Sequence, residues 1–125
     1  MFLKGKCALV TGSTSGIGLA YARALAAEGA TLVINGFGDA KAIAAQTAEL
    51  AAMSGAPAIH VAADLTRRDG VEALMAAAAE AFGGVDILIS NAGMQHVAPI
   101  EDFPVAKWDA IIALNLMRPR PWFFE

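Results

Sequence analysis

A glycine-rich segment near the N-terminus, VTGSTSGIG at residues 10–18, has the residue types of a loop that binds phosphate groups. The glycines allow a sharp turn after a strand and a close approach of the backbone to a pyrophosphate, while the serines and the threonine add hydroxyl donors. A helix that begins here would offer free N–H groups and a partial positive charge to the phosphates. The predicted cofactor contacts in this segment are Gly12, Ser13, Thr14, Ser15, Gly16, Ile17 and Gly18.

The spacing of these glycines narrows the chemistry further. The pattern is Gly-x-x-x-Gly-x-Gly and not Gly-x-Gly-x-x-Gly, and it lacks the lysine that a P-loop requires. The missing lysine argues against a nucleoside triphosphatase. The strand before the loop and the helix after it favour a pyrophosphate site over a glycine-rich turn of no special purpose.

The residue that ends the second apolar run bears on which dinucleotide is bound. An acidic side chain at this place usually binds the adenosine ribose diol, whereas a basic side chain accommodates a 2′-phosphate. Here the residue is Asn35, and the nearest basic residue after it is Lys41. A 2′-phosphate would lack a positive partner, so we predict NAD rather than NADP.

Short apolar runs alternate with longer alanine-rich runs at helical spacing, and turn signals separate them. Gly29, Gly55 and Gly83 follow the helical runs as left-handed caps, while Asp39 and a capping box at 66–69 precede two of them. The alternation predicts an α/β fold, a Rossmann-type doubly wound parallel sheet of about four strands with right-handed crossovers. The predicted strands are 6–11, 31–35, 58–62 and 85–90, and the predicted helices are 16–28, 40–53, 67–82 and one from near Pro104.

Composition excludes several classes of protein. Of the 125 residues, 57% are hydrophobic and 17% are charged, which excludes a disordered chain, and a net charge of −3 gives no footprint for nucleic acid. No apolar run is long enough to cross a membrane, and no signal peptide is recognisable. Cys7 is the single cysteine, and neither histidine has a companion at metal-binding spacing, so we predict no metal site. A cytoplasmic protein is expected.

Four motifs in order resemble the short-chain dehydrogenase/reductase family. TGSTSGIG resembles its cofactor loop, AADL at 62–65 its acidic turn, SNAG at 90–93 its Asn-Ala-Gly motif, and Asn115 in LNL its helix asparagine. The resemblance runs from about residue 3 to residue 116. It implies that residues 1–116 form an NAD-binding unit and that 117–125 are an atypical tail.

The resemblance also assigns roles to particular residues. Asp64, with Ala63 and Leu65 beside it, would contact the adenine, unless the carboxylate only caps a turn. Phe37 would flank the adenosine or cover the core. Gln95 would bind the substrate carboxylate or be an ordinary loop residue. Asn115 would hold a water linked to the catalytic lysine, or be a satisfied structural amide on the apolar helix face of Trp108. The helical spacing of that face predicts that Trp108 packs in the core. Ribose contacts would fall on Asn91, Ala92 and Gly93, and Asn91 could also brace the loop.

Within the family, the segments NGFGD, NAGMQH and PIEDFPVAKWDAIIALNL are most similar to the bacterial D-3-hydroxybutyrate dehydrogenases. That similarity implies NAD, a small 3-hydroxy acid substrate that is interconverted with acetoacetate, and a homotetramer. Two alternatives stay open. One is another short-chain dehydrogenase, such as a 3-oxoacyl-carrier-protein reductase or a sugar-alcohol dehydrogenase, and the other is a non-catalytic nucleotide-binding fragment.

The family's chemistry also requires a serine and a Tyr-x-x-x-Lys helix. The one tyrosine here is Tyr21, which has no lysine four residues later, and Pro119 and Pro121 interrupt the last predicted helix. We therefore expect a chain truncated before the catalytic serine, tyrosine and lysine, with no activity by itself.

Overall fold

A computed structural model describes residues 1–93, 98–113 and 115. Its elements, in chain order, are β1 (Cys7–Val10), α1 (Gly16–Ala27), β2 (Thr31–Asn35), α2 (Ala40–Ser54), β3 (Ala58–Val61), α3 (Arg68–Phe82), β4 (Ile87–Ile89), a 3-10 turn (Ile100–Asp102) and α4 (Val105–Ile112). The predicted alternation of strands and helices is confirmed, and most bounds agree within two residues. Gln95 and the tail at 117–125 lie outside the described residues, so their predicted roles have no structural counterpart here.

The strands form one parallel sheet in the order β3-β2-β1-β4. β1 therefore lies between β2 and β4, and Val10 at its end is level with Ile34 on one side and Ile89 on the other. The chain winds outward from β1 in one direction and then returns to its other side. This reversal opens a crevice at the carboxyl ends of the strands, which is where open α/β sheets bind ligands.

The sheet is covered on both faces because β1 is apolar at every position and β2 is apolar at its three middle positions. Leu9 points to α3, where it packs in one cluster with Leu74. Its neighbour Ala8 points to the opposite face and packs in a second cluster with Ala22 of α1 and Leu50 of α2. All five side chains are fully or almost fully buried. Such two-sided burial is typical of a parallel sheet and confirms the predicted fold class.

Helix ends follow the predicted cap residues with one exception. Gly55 and Gly83 cap α2 and α3 with φ of 69° and 81°, and the Asp39 carboxylate accepts a hydrogen bond from Ala42 N at 3.0 Å. The capping box at 66–69 is wrong: α3 begins one residue later than predicted, with Arg67 as its cap residue. The reason is local, since the Thr66 hydroxyl donates instead to the Asp64 carboxylate.

Among the described helices, none is long and apolar enough to span a bilayer. The same part of the chain contains no cluster of three histidine, cysteine or acidic side chains that could hold a metal ion. Cys7 is buried in β1 with its thiol free.

Candidate cofactor-binding site

A cleft of about 560 Å³ lies at the carboxyl ends of the strands and gathers most of the predicted cofactor residues. Four separate segments meet there: the glycine loop after β1, the loop after β2, the turn after β3, and the segment after β4. Ser13, Gly16 and Gly18 are not among the residues that line it. The residues that line the cleft are Gly12, Thr14, Ser15, Ile17, Asn35, Gly36, Phe37, Ala63, Asp64, Leu65, Thr66, Asn91, Ala92 and Gly93.

A second, larger cavity of about 660 Å³ lies between α2 and β3. Half of its lining residues are alanine, and it shares only the loop at Gly36 and Phe37 with the cleft. Because the cleft, and not this groove, combines the glycine loop with polar residues from several strand ends, we take the cleft as the functional site.

Each of the three glycines in the loop is favoured for a different structural reason. A Cβ on Gly18 would overlap the carbonyl oxygen of Gly12 and lie 2.7 Å from Asn91 Nδ2, so Gly18 permits the loop to close on itself. Gly12 has φ of +62°, and a Cβ there would lie 3.0 Å from Ala92 Cα. Gly16 has φ of +57° but faces open space at the start of α1. The loop is thus packed tightly at Gly12 and Gly18, against itself and the segment after β4. At Gly16, where the helix begins, it is uncovered, and this arrangement fits a bound phosphate.

Two of the predicted hydroxyl donors are engaged within the protein. Ser13 is fully buried, and its Oγ donates to Val10 O at 2.7 Å and accepts from Asn35 N at 3.0 Å. Thr14 lines the cleft, but its Oγ1 donates to Phe37 O at 3.1 Å. The structure therefore does not offer the Ser13 hydroxyl to a phosphate. Ser15 is the N-cap residue of α1, its side chain makes no cap bond, and it lines the cleft.

Asn35, which stands where an acidic side chain usually binds a ribose, has its amide engaged within the protein. It is only 2% exposed. Its Oδ1 accepts from Gly12 N at 3.2 Å, while its Nδ2 donates to Val61 O at 3.1 Å and to Ala63 O at 3.4 Å. An amide can serve all of these partners because it both donates and accepts, which a carboxylate cannot do. Asn35 therefore joins the glycine loop to the end of β3, and the following Gly36 and Phe37 form the surface of the cleft.

The segment after β4 is held against the same loop from the other side. Asn91 N and Ala92 N both donate to Thr11 Oγ1 at 2.9 Å, and Asn91 Nδ2 donates to Gly12 O at 3.2 Å. Asn91 therefore braces the loop with its side chain, while Ala92 and Gly93 line the cleft. Sequence reasoning missed Thr11, although a buried hydroxyl just before the first glycine is a signal that could have indicated it.

The turn after β3 carries a carboxylate that is held ionised. Asp64 Oδ1 accepts from the Thr66 hydroxyl at 2.5 Å and from Thr66 N at 3.0 Å. The Thr66 hydroxyl, followed by the Thr66 N–H, lowers the pKa of Asp64. Gly70 lets α3 approach this turn, because a Cβ there would collide with the Asp64 carbonyl oxygen. An ionised carboxylate at the cleft can accept a hydrogen bond from an amino group.

The chain matches the model of the short chain dehydrogenase family over residues 6–119. The chain belongs to the short-chain dehydrogenase family. It is 56% identical over 114 residues to a D-beta-hydroxybutyrate dehydrogenase of Cupriavidus necator, a match that covers 91% of this chain and 43% of that protein. It is 53% identical to another of Rhizobium meliloti, covering 89% of this chain and again 43% of the relative. The chain therefore spans less than half the length of these relatives.

A solved structure supports the same assignment of fold. A short chain dehydrogenase from Burkholderia cenocepacia J2315, in complex with NADP, is 38% identical and superposes with a TM-score of 0.87. The match covers 94% of this chain and 48% of that one.

Three more residues that were interpreted from the sequence can be located in the structure. Phe37 is 67% exposed at its rim, so it does not cover the core. Asn115 is exposed beyond the end of α4, and a Cβ on Gly93 would lie 3.2 Å from its Oδ1, so the predicted relay residue lies beside the segment after β4. Trp108 is 58% exposed and contacts Phe103 edge-on, with ring centroids 6.1 Å apart, so its predicted place in the core is wrong.

The Asp64 turn yields a prediction about pH. Thr66→Val removes the hydroxyl donor, so we expect the pKa of Asp64 to rise towards its ordinary value. A pH titration of the Asp64 carboxyl carbon by NMR measures this, with Thr66→Ser as the control that keeps the donor. Equal pKa values in the valine variant and the wild type would contradict the assignment.

The same pKa shift has a consequence for stability. The folded-state pKa of Asp64 lies below the unfolded value of about 4. The ionised carboxylate therefore stabilises the fold fully above about pH 4. This stabilisation is lost as pH falls through the folded-state pKa. In the valine variant this loss is smaller.

Proposed function

We propose that this chain forms the dinucleotide-binding part of a D-3-hydroxybutyrate dehydrogenase that uses NAD. The observation that carries the proposal is the cleft at the carboxyl edge of the sheet, where the glycine loop, the Asp64 turn and the segment after Asn91 meet. The names of the two relatives above 50% identity supply the substrate class. The bound dinucleotide supplies hydride transfer to or from the alcohol carbon.

The residues of the chain divide the work of binding. The first turn of α1 offers main-chain N–H groups that have no partner within the helix, and Gly16 leaves them uncovered for the pyrophosphate. Asp64 would accept from the adenine amino group, and Phe37 would lie against the adenosine. Ala92 and Gly93 offer backbone to the nicotinamide ribose. Asn91, Asn35 and Ser13 hold the loop in place through their side-chain hydrogen bonds.

The choice of NAD over NADP rests on charge. Among the described residues that line the cleft there is no lysine or arginine, and the charged side chain is the carboxylate of Asp64. A 2′-phosphate would enter this cleft without a positive partner. The Burkholderia relative was crystallised with NADP, so the choice for this chain depends on its own residues.

The remaining parts of the proposal extend beyond the cleft. Gln95 would bind the substrate carboxylate, and Asn115 would take part in a proton relay. The protein would be cytoplasmic, and its full-length relatives would be homotetramers. The one tyrosine of the sequence, Tyr21, lies on α1 with Leu25, not a lysine, four residues later. We therefore expect these 125 residues alone to bind NAD but not to oxidise D-3-hydroxybutyrate.

Calorimetric titration of the chain with NAD and with NADP tests the proposal. We expect measurable binding of NAD and a dissociation constant for NADP that is higher by about tenfold, equivalent to about 1.4 kcal/mol. Asp64→Asn should weaken NAD binding, while the matched surface change Asp109→Asn on α4 should not. No binding of either dinucleotide would contradict the site, and tighter binding of NADP would contradict the choice of cofactor. Production of NADH from D-3-hydroxybutyrate would contradict the expected inactivity.

A further inference from the structure

We propose that Thr14 is a positioning residue that fixes the adenosine end of the cleft, so that backbone rather than a side chain is presented there. The proposal rests on the dinucleotide-binding function proposed above. It concerns how this chain recognises a ribose without the acidic residue that usually follows the second strand.

The first observation is that Thr14 fills the space of a missing side chain. Gly36, the residue after β2, has φ of +151°, and a Cβ built on it would lie 2.5 Å from Thr14 Oγ1 and 3.0 Å from Thr14 Cγ2. Atoms this close must move apart. With a threonine at position 14, a larger side chain at position 36 therefore cannot be accommodated in the present loop conformation.

The second observation is that hydrogen bonds from other elements hold the same loop. Thr14 Oγ1 donates to Phe37 O at 3.1 Å, and Gln46 Nε2 on α2 donates to Thr14 O at 3.1 Å. His60 Nε2 on β3 lies 2.7 Å from Gly36 O and must donate, since a carbonyl only accepts. Thr14 is the member of this set that both bonds to the loop through its hydroxyl and occupies, with its hydroxyl and methyl group, the space that a Cβ at position 36 would need.

The consequence is a fixed place for Phe37 and a position at Gly36 that lines the cleft without a side chain. The Phe37 ring is 67% exposed at the rim of the cleft, while its carbonyl is held by Thr14. A loop pre-positioned in this way does not have to be ordered when the ligand binds, which favours affinity. Loss of the Thr14 hydroxyl should therefore weaken dinucleotide binding even when the fold is unchanged.

Isosteric variants test the hydroxyl. We expect Thr14→Val to raise the dissociation constant of NAD by about three- to tenfold, the effect of one hydrogen bond. Thr14→Ser keeps the donor and should stay within about twofold of wild type. Thr47→Val, which removes a hydroxyl that bonds only within α2, is the matched control and should also stay within about twofold. Calorimetry gives the affinities, and thermal unfolding of the unliganded variants shows that they fold.

A double-mutant cycle tests the steric contact. Gly36→Ala is measured in the wild type and in Thr14→Ala, which removes Oγ1 and Cγ2. The backbone strain at φ of +151° is common to both backgrounds and cancels. We expect Gly36→Ala to lower NAD affinity and thermal stability more in the wild type than in Thr14→Ala, as coupled neighbours do.

The outcomes separate this proposal from the function on which it rests. A wild-type chain that binds neither dinucleotide overturns both. A wild type that binds NAD, with Thr14→Val and Thr14→Ser equal to it and an additive cycle, overturns the role of Thr14 alone. If Gly36→Ala does not fold in either background, the valine and serine variants still decide.

Discussion

A Gly18→Ala variant is expected to lose dinucleotide binding and to unfold at a lower denaturant concentration than the wild type. The added methyl group would overlap the carbonyl oxygen of Gly12 and lie 2.7 Å from Asn91 Nδ2. The Gly12 oxygen belongs to the backbone, and Asn91 Nδ2 is tied to it by a hydrogen bond of 3.2 Å, so neither can move without opening the loop. Overpacking of this kind costs about 1–3 kcal/mol in the free energy of unfolding, and we expect the upper end.

Gly16→Ala is the matched control for this change. It lies in the same loop with φ of +57°, but a Cβ there meets no atom within 4 Å. Gly16→Ala should lower the free energy of unfolding only through left-handed backbone strain, by about 1–2 kcal/mol. Urea unfolding of the unliganded chain compares the two variants directly. A Gly16→Ala variant that is as unstable as Gly18→Ala would show that steric overlap is not the cause.

The second large effect is expected at Asn35. Replacing it with leucine should lower the free energy of unfolding by about 3 kcal/mol, because Gly12 N, Val61 O and Ala63 O would lose a buried partner. Binding of NAD should weaken as well, since the glycine loop would lose its connection to β3. Chemical denaturation and calorimetry measure the two effects. A leucine variant as stable as the wild type would contradict the bridging role.

Asn35→Asp removes the hydrogen-bond donor of the amide and keeps its acceptor. The carboxylate can still accept from Gly12 N, but its other oxygen would face the carbonyls of Val61 and Ala63. Burial and this repulsion should raise the folded-state pKa of the new acid above the unfolded value of about 4. Protonation would restore a donor, so the deficit relative to wild type should be small below that pH and grow as pH rises through the folded-state pKa. A deficit that does not change with pH would argue against the carbonyl contacts.

These predictions share a physical basis in the way the glycine loop is supported. Thr11 and Asn91 hold it on the side of β4, and Asn35 and Ser13 hold it on the side of β2 and β3. The polar side chains at the base of the cleft are thus used to fix backbone geometry. The helix N-terminus and the uncovered main chain are what remains for a ligand. A site built in this way is ordered before the ligand arrives.

Much of the architecture could be predicted from sequence because it depends on local pattern. Runs such as TLVIN are apolar at consecutive positions, as strands buried on both faces must be, and alanine-rich runs at helical spacing connect them. Gly55, Gly83 and Asp39 have the residue types that helix ends require, and they cap helices as predicted. The position of the site also followed, since parallel strands bring their carboxyl ends to one edge of the sheet.

The tertiary structure alone decided what each polar side chain does. Ser13 and Thr14 looked alike as possible ligand donors, but each donates a hydrogen bond to a backbone carbonyl more than twenty residues away. Trp108 kept a helical spacing typical of a core residue and yet lies exposed against Phe103. Sequence pattern determines which helix, strand or loop a residue belongs to, because secondary structure depends on the neighbours along the chain. The direction and partners of its side chain depend on atoms that only folding brings within hydrogen-bonding distance.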